Sequence, residues 1–213
     1  IIASAGSLQQ TDVIWTEDER AGFAEGIENE ARRLNRLVGN LLDLSRIESG
    51  TLKPDLGWYD IGSLVEEVAG RLKPALAGHE IALEVPDDLP PLPLDYIEID
   101  EVLSNLIENA VKYTPPGTEI ELSVREKAAE VVISVADRGL GIPDAAMIHL
   151  FEPFYRVPGT MVRGNGLGLA VARGLVEAHG GRIWAENREH GGVAITLTLP
   201  MPAGVPRRER EPA

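Results

Sequence analysis

The chain has 213 residues and a formal net charge of -14, with a sequence pI of about 4.7. That balance excludes a general nucleic-acid binder, because no basic surface dominates and an anionic ligand has to be met by local groups. Cysteine is absent, which excludes disulfides and thiolate metal sites; no signal peptide is visible, and no apolar run reaches the roughly 20 residues of a membrane helix.

The chain opens without a methionine on Ile1-Ile2-Ala3-Ser4, helical in texture, like the tail of a helix that starts upstream. Thr11–Trp15 interrupts it, and Thr16-Glu17-Asp18-Glu19 has the spacing of a capping box. The helix opened there carries Phe23, Ile27, Leu34, Leu37 or Val38, Leu41, Leu44 or Ser45, and Ile47 at alternating steps of three and four, a coiled-coil or helical-hairpin seam. Glu28, Glu30, Arg32, Arg33 and Arg36 cover its other side, and Ser49-Gly50 closes it. One hairpin cannot bury such a seam, so the expectation is a homodimer through residues 1–50 forming a four-helix bundle.

From Asp60 the texture becomes mixed. The pattern predicts a helix over Ile61–Ala77 closed by Gly78, a strand over His79–Val85, and a proline-rich loop over Asp87–Pro93. The next helix holds Asn105-Leu106-Ile107-Glu108-Asn109-Ala110-Val111-Lys112-Tyr113-Thr114. Val102, Leu103, Leu106, Ile107, Ala110 and Val111 give it an apolar face. Asn105, Asn109 and Lys112 fall at i, i+4 and i+7 on another face, where amide oxygens suit a hard cation and an ammonium suits phosphate. After the turn Pro115-Pro116-Gly117 come predicted strands over Glu119–Arg125 and, more continuously apolar and so central, Glu130–Ala136. A helix over Leu167–His179 ended by Gly180-Gly181, a strand over Arg182–Glu186 and a last strand over Val193–Leu199 complete the pattern; the Pro- and Arg-rich remainder, 201–213, is expected to be a disordered tail. No internal repeat is present.

Asp137-Arg138-Gly139-Leu140-Gly141-Ile142 stands at the end of the central strand. A carboxylate there can accept from an amine such as that of a base, and the glycines allow close approach to the backbone; alone, the segment also suits a tight turn capped by Asp. Gly164-Asn165-Gly166-Leu167-Gly168-Leu169 opens the following helix. It fits neither the dinucleotide fingerprint nor a Walker loop, yet glycines before a helix N-terminus make an anion site. Between the two clusters, Pro143–Arg163 is a loop of roughly twenty residues, a length typical of lids. Its Phe151, Phe154 and Tyr155 can anchor it or simply pack, and Arg156 or Arg163 can reach phosphate.

The ordered set NLIENAVKYT, DRGLGI, FEPFYR, GNGLGL and GGVAITLTLP resembles the N, G1, F and G2 boxes and the final strand of bacterial sensor histidine kinases, and ARRLNRLVGNLLDLSRIESG resembles the second helix of their dimerisation and phosphotransfer domain. The likeness covers residues 1 to about 200. LKP followed by Trp58, NAVKYTPPG and EAHGGRIWAENR resemble the potassium-responsive, Kdp-type members.

The resemblance implies an α+β chain: a helical hairpin, half of a dimeric bundle, then a GHKL-type α/β sandwich with helices layered on one face of a mixed sheet. It divides the chain into dimerisation helices over 1–52, an ATP-binding domain over 57–200 and the tail. Its implied cofactors are ATP and Mg²⁺. Asn109 would ligate the Mg²⁺ with Asn105 beside it, Lys112 would contact phosphate, Tyr113 would pack near the adenine and Asp137 would accept from the adenine amine. Gly139, Gly141 and Ile142 would line the approach, with Arg156 on phosphate; Gly164, Gly166, Leu167 and Gly168 would hinge the lid and receive phosphate. Asn105, Glu108 and Lys112 stand as catalytic candidates, Glu108 by polarising a nucleophile. The family's acceptor histidine belongs to a block that should precede Ile1, and His79, His149, His179 and His190 all lie elsewhere. His179 ends a helix, where an imidazolium suits the dipole. The implied activity is γ-phosphoryl transfer to that histidine and thence to the Asp of a response-regulator receiver domain. No nucleic acid is implied; the chain would be the cytoplasmic portion of an inner-membrane sensor, tied to the membrane only upstream. The alternatives are a gyrase- or chaperone-like ATPase, which would place a Glu where Asn105 stands, and a degenerate nucleotide-binding scaffold.

Overall fold

The computed structural model describes residues 2–9, 13–160 and 164–202. Arg163, part of the Thr11–Trp15 break and the tail from 203 onward lie outside the described residues.

Helix α1 (Ile2–Leu8) and helix α2 (Glu17–Glu48) form the hairpin. The capping box is in place: Thr16 Oγ1 accepts from the Glu19 amide at 3.2 Å and Glu19 Oε2 accepts from the Thr16 amide at 2.8 Å. Trp15 Nε1 donates to the Ser7 carbonyl at 2.9 Å, and its ring meets Phe23 edge-on with centroids 5.0 Å apart, tying α1 to the first turns of α2. At 1.5 Å per residue α1 spans about 10 Å and α2 about 48 Å, so most of α2 lacks a hairpin partner among the described residues. Leu34, Val38 and Leu41 are exposed.

The lower end of the expected seam has a different partner. Leu44 is buried and Ile47 packs on Gly174 of helix α6 (Gly168–Ala178). These apolar residues face another helix because the period of α2 specifies a stripe, while the nearest apolar surface decides what covers it.

The remaining elements are β1 (Gly57–Tyr59), α3 (Ile61–Arg71), β2 (Glu80–Glu84), β3 (Leu92–Leu94), α4 (Tyr96–Tyr113), β4 (Glu119–Lys127), β5 (Glu130–Ala136), α5 (Asp144–Met147), β6 (Arg182–Asn187) and β7 (Val193–Pro200). The five-stranded sheet has the order β2-β4-β5-β7-β6, with β2 and β4 parallel and the other pairs antiparallel. It is mixed, as expected, and β5 is central. Ile120, Leu122 and Val124, Val131, Ile133 and Val135, and Ile195, Leu197 and Leu199 meet the apolar faces of α3, α4 and α6 in one core. Helix α4 contributes Ile99, Val102, Leu103, Leu106, Ile107 and Ala110, the large ones each worth about 1.5–3 kcal/mol of burial. Asp95 caps α4, its Oδ1 accepting from the amides of Ile97 and Glu98 at 3.0 and 3.2 Å.

Three local expectations change. Helix α3 ends at Arg71, not Ala77, because Pro74 lacks an amide donor and disfavours helical geometry at Lys73. The loop expected over Asp87–Pro93 hands its last residues to β3, which pairs with β1 in a small second sheet through Gly57↔Leu94 and Tyr59↔Leu92. The opening of the Pro143–Arg163 segment is ordered around buried Ala146 and Phe151 and contains α5, so those apolar anchors turn half of the expected loose lid into packed structure.

His179 is held through both of its ring nitrogens. Its Nε2 accepts from the Asp95 amide at 3.0 Å and its Nδ1 donates to the Leu175 carbonyl at 2.7 Å. One accepting and one donating nitrogen match the geometry of the Nδ1–H tautomer.

Candidate functional site

Helix α4 presents Asn105, Glu108, Asn109 and Lys112 along one stripe, since steps of three and four return to the same face. Opposite that stripe, β5 is followed directly by Asp137, which is buried. The two walls enclose a cavity of about 580 Å³.

Asp137 Oδ1 accepts from the amides of Gly139 and Val193 at 2.7 and 3.2 Å, whereas no hydrogen bond among the described residues uses Oδ2. The loop after Asp137 is held from behind: Asn187 Oδ1 accepts from the Ile142 amide at 2.8 Å while its Nδ2 donates to the Ile142 carbonyl at 2.7 Å. Arg188 donates to the Asp137 carbonyl at 3.2 Å and to both Glu121 oxygens at 2.9 and 2.8 Å, and Arg138 joins the same carboxylate at 2.6 Å. Burial pushes the Glu121 carboxyl up, but the two guanidiniums outweigh it and hold the group below its ordinary value.

Gly139 is a close approach: a Cβ there would lie 2.7 Å from the Tyr113 carbonyl oxygen and 3.0 Å from Asp137 Oδ1. Gly166 has a φ of +70°, and its Cβ would meet the Tyr155 carbonyl at 2.6 Å, so neither position admits a side chain.

At the other end, Lys112 Nζ lies 5.0 Å from the Tyr113 ring centroid and crowds Gly164. Burial lowers the proton affinity of Lys112 first; Arg156 and Arg33 lower it further, against the opposing pull of Glu108. Burial raises the Tyr113 hydroxyl, with Arg156 opposing. Asn105 Nδ2 is buried without a partner among the described residues, and a Cβ on Gly168 would come within 3.0 Å of Asn105 Oδ1.

The cavity therefore unites Asn105, Glu108, Asn109, Lys112 and Tyr113 with Asp137, Gly139, Gly141 and Ile142, and both with Arg156, Gly164, Gly166 and Gly168. Leu167 is the exception among the expected residues: its side chain is fully buried beneath α6 and its amide donates to Asn165 Oδ1 at 3.3 Å.

Residues 94–203 match the family described as histidine kinase-, DNA gyrase B-, and HSP90-like ATPase. The chain belongs to that family. It is 38% identical over 179 residues to the sensor histidine kinase WalK of Bacillus subtilis, a match covering 81% of this chain and 29% of that protein. It is 31% identical over 204 residues to the sensor protein KdpD of Clostridium acetobutylicum, covering 94% and 23%. Full-length ShkA, crystallised in complex with AMPPNP, matches with a TM-score of 0.77 at 27% identity over 92% of this chain and 41% of that one. The chain thus spans less than a third of the length of these two curated relatives. It carries the ATP-binding catalytic core of a sensor histidine kinase, and the Kdp type is one branch among several that match.

Several residues around this ATPase-family cleft were not singled out by sequence. Arg33, Arg36, Leu37 and Asn40 of α2 form one of its walls, although the arginines read as solvated cover of a hairpin. Arg36 Nη1 bonds to both oxygens of Glu108, at 2.9 and 2.7 Å. Glu108, expected to polarise a nucleophile, pairs with this guanidinium. Asn187 clamps the loop from a strand 45 positions away, and nothing in its local pattern marks it.

Proposed function

We propose that this chain binds ATP with Mg²⁺ in the cleft between α4 and the Asp137 loop and serves, in a longer protein, the transfer of the γ-phosphoryl group to a histidine and then to the Asp of a response regulator. The carrying observation is that the carboxamide-and-ammonium stripe of Asn105, Asn109 and Lys112 shares one cavity of about 580 Å³ with Asp137, whose Oδ1 is fixed by two amides. Asp137 Oδ2 accepts from the adenine amine, Tyr113 packs near the base, and Gly139, Gly141 and Ile142 admit it. Lys112 and Arg156 take phosphate oxygens; Gly164, Gly166, Leu167 and Gly168 supply the turn and amides of a helix N-terminus to the same end. The donor set fits Mg²⁺ as a hard cation held by one or two protein oxygens: Asn109 would be the ligand, and Asn105, whose Nδ2 lacks a partner among the described residues, stands beside it. The bound ion supplies neutralisation of phosphate charge, and the protein's own part is positioning.

Residues 1–52 act as the dimerisation part and 57–200 as the ATP-binding part. Exposed Leu34, Val38 and Leu41, at i, i+4 and i+7 of α2, support a homodimer through this face. No described helix is long and apolar enough to cross a membrane.

The test is calorimetric titration with AMPPNP and Mg²⁺ beside Asn109→Ala and Asp137→Asn. The carboxamide at 137 keeps an oxygen for the two amides but replaces the second acceptor with a donor. Saturable binding weakened at least tenfold in both variants is expected. A folded wild-type chain that binds no AMPPNP rejects the reading.

A further inference from the structure

We infer that Arg36, with Arg33 one turn before it, is a phosphate-binding residue of the nucleotide cleft delivered by α2, and that Glu108 is the counter-ion holding its guanidinium in place until a nucleoside di- or triphosphate displaces it. The inference rests on the nucleotide reading of the cleft and adds a wall that the catalytic sheet and its helices do not supply.

Glu108 lies three residues after Asn105 and four before Lys112, between the groups that face the cavity. Arg36 bonds to both its oxygens at 2.9 and 2.7 Å, so the guanidinium is parked directly on the phosphate-facing stripe. The pair is a poor structural tie, because both side chains are well exposed, at 63% and 42%, and solvent-screened ion pairs contribute little stability. Docking of α2 is instead apolar, through Ile47 on Gly174 of α6, one turn after buried Leu44. An exposed pair inside a cleft, between elements already held by other contacts, is better suited to exchange partners than to hold the fold.

Charge points the same way. Arg33, Arg36, Lys112 and Arg156 all line this cavity, against the two carboxylates of Glu108 and Asp137. Burial is the main cause that lowers the proton affinity of Lys112, and Arg156 and Arg33 add to it against Glu108, so the cations of both walls act on the same region of the cavity. A polyphosphate carries more charge than one carboxylate and offers the planar guanidinium two oxygens at once, so it outcompetes Glu108 for Arg36. Because α2 then touches the ligand, nucleotide favours the docked position of α2, and docking in turn tightens nucleotide binding by the same factor.

The experiment titrates AMPPNP with Mg²⁺, and adenosine separately, into the wild-type chain, Arg36→Ala, Arg36→Lys, Glu108→Gln and Arg36→Ala/Glu108→Gln, with circular dichroism verifying folding. Arg36→Ala is expected to weaken AMPPNP about tenfold and leave adenosine unchanged, with Arg36→Lys recovering part of the loss. Glu108→Gln is expected to bind AMPPNP as tightly as the wild type or tighter, and the double variant to match Arg36→Ala. Equal losses in Arg36→Ala and Glu108→Gln, with no further loss in the double variant, would make the pair a simple latch and overturn the inference. So would wild-type affinity in Arg36→Ala. Failure of the folded wild-type chain to bind AMPPNP at all rejects the nucleotide reading itself, a result visible without any α2 variant.

Discussion

Ile47 of α2 sits over the bare Cα of Gly174 on α6: a Cβ at 174 would lie 2.7 Å from Ile47 Cγ1 and 2.8 Å from its Cγ2. Glycine inside a helix costs about 1 kcal/mol relative to alanine, so its presence on α6 reflects the close approach of α2. Gly174→Ala is expected to push α2 off α6 while leaving the ATP-binding part folded, with α6 itself gaining up to about 1 kcal/mol. Hydrogen exchange checks this: faster exchange over 37–48 with α6 unchanged supports the contact, and unchanged protection of α2 rejects it.

Asn187 holds Ile142 through both of its backbone polar groups, at 2.8 and 2.7 Å. Hydrogen bonds of this kind contribute about 0.5–1.5 kcal/mol each. Asn187→Ala is therefore expected to lower the midpoint of thermal unfolding by a few degrees and to weaken AMPPNP severalfold by loosening the Gly139–Ile142 loop. A melting shift without any change in affinity would show that the loop's position does not depend on the clamp.

Thr198 of β7 is almost fully buried, and its hydroxyl lacks a hydrogen-bond partner among the described residues. An unmade hydrogen bond costs about 1–3 kcal/mol, and an apolar isostere removes that cost. Thr198→Val is expected to stabilise the fold by about 1 kcal/mol in urea unfolding. A loss of stability would mean that the hydroxyl is satisfied, for instance by water.

Glu98 and Glu101 of α4 are both pushed from an ordinary 4.5 up to about 7, first by burial; Asp95, Asp43 and Glu101 add to the effect at Glu98, opposed by Arg46, and Asp43 and Asp100 add to it at Glu101. The folded state therefore binds more protons than the unfolded chain between those values. The contribution of these two carboxyls is fully present below pH 4.5 and is lost as pH rises through about 7. Denaturant midpoints should rise between pH 8 and pH 6, and Glu101→Gln should flatten that rise. An unchanged slope in the variant would move the effect to other groups.

Much of the fold was legible because its signals are local. The Thr16–Glu19 box, the Asn105 stripe, the alternation of Ile120, Leu122 and Val124 and the glycines at 139, 141, 166 and 168 lie within one or two turns of each other, and each appears in its expected element. The short pair β1 and β3 was not legible, since three residues with two prolines nearby carry no period and become a strand only by meeting one another.

By itself the sequence determined the long helices and the strands of the main sheet and which of their side chains share a face, because repeats of two and 3.6 residues are properties of the backbone that any neighbour must accept. Only the tertiary structure decided what those faces meet. Arg36 reaches Glu108 across 72 positions and Asn187 reaches Ile142 across 45, and α6 claims Ile47 from the hairpin seam. Such contacts arise where burying apolar surface brings distant elements together, a balance of area and shape that no local pattern records.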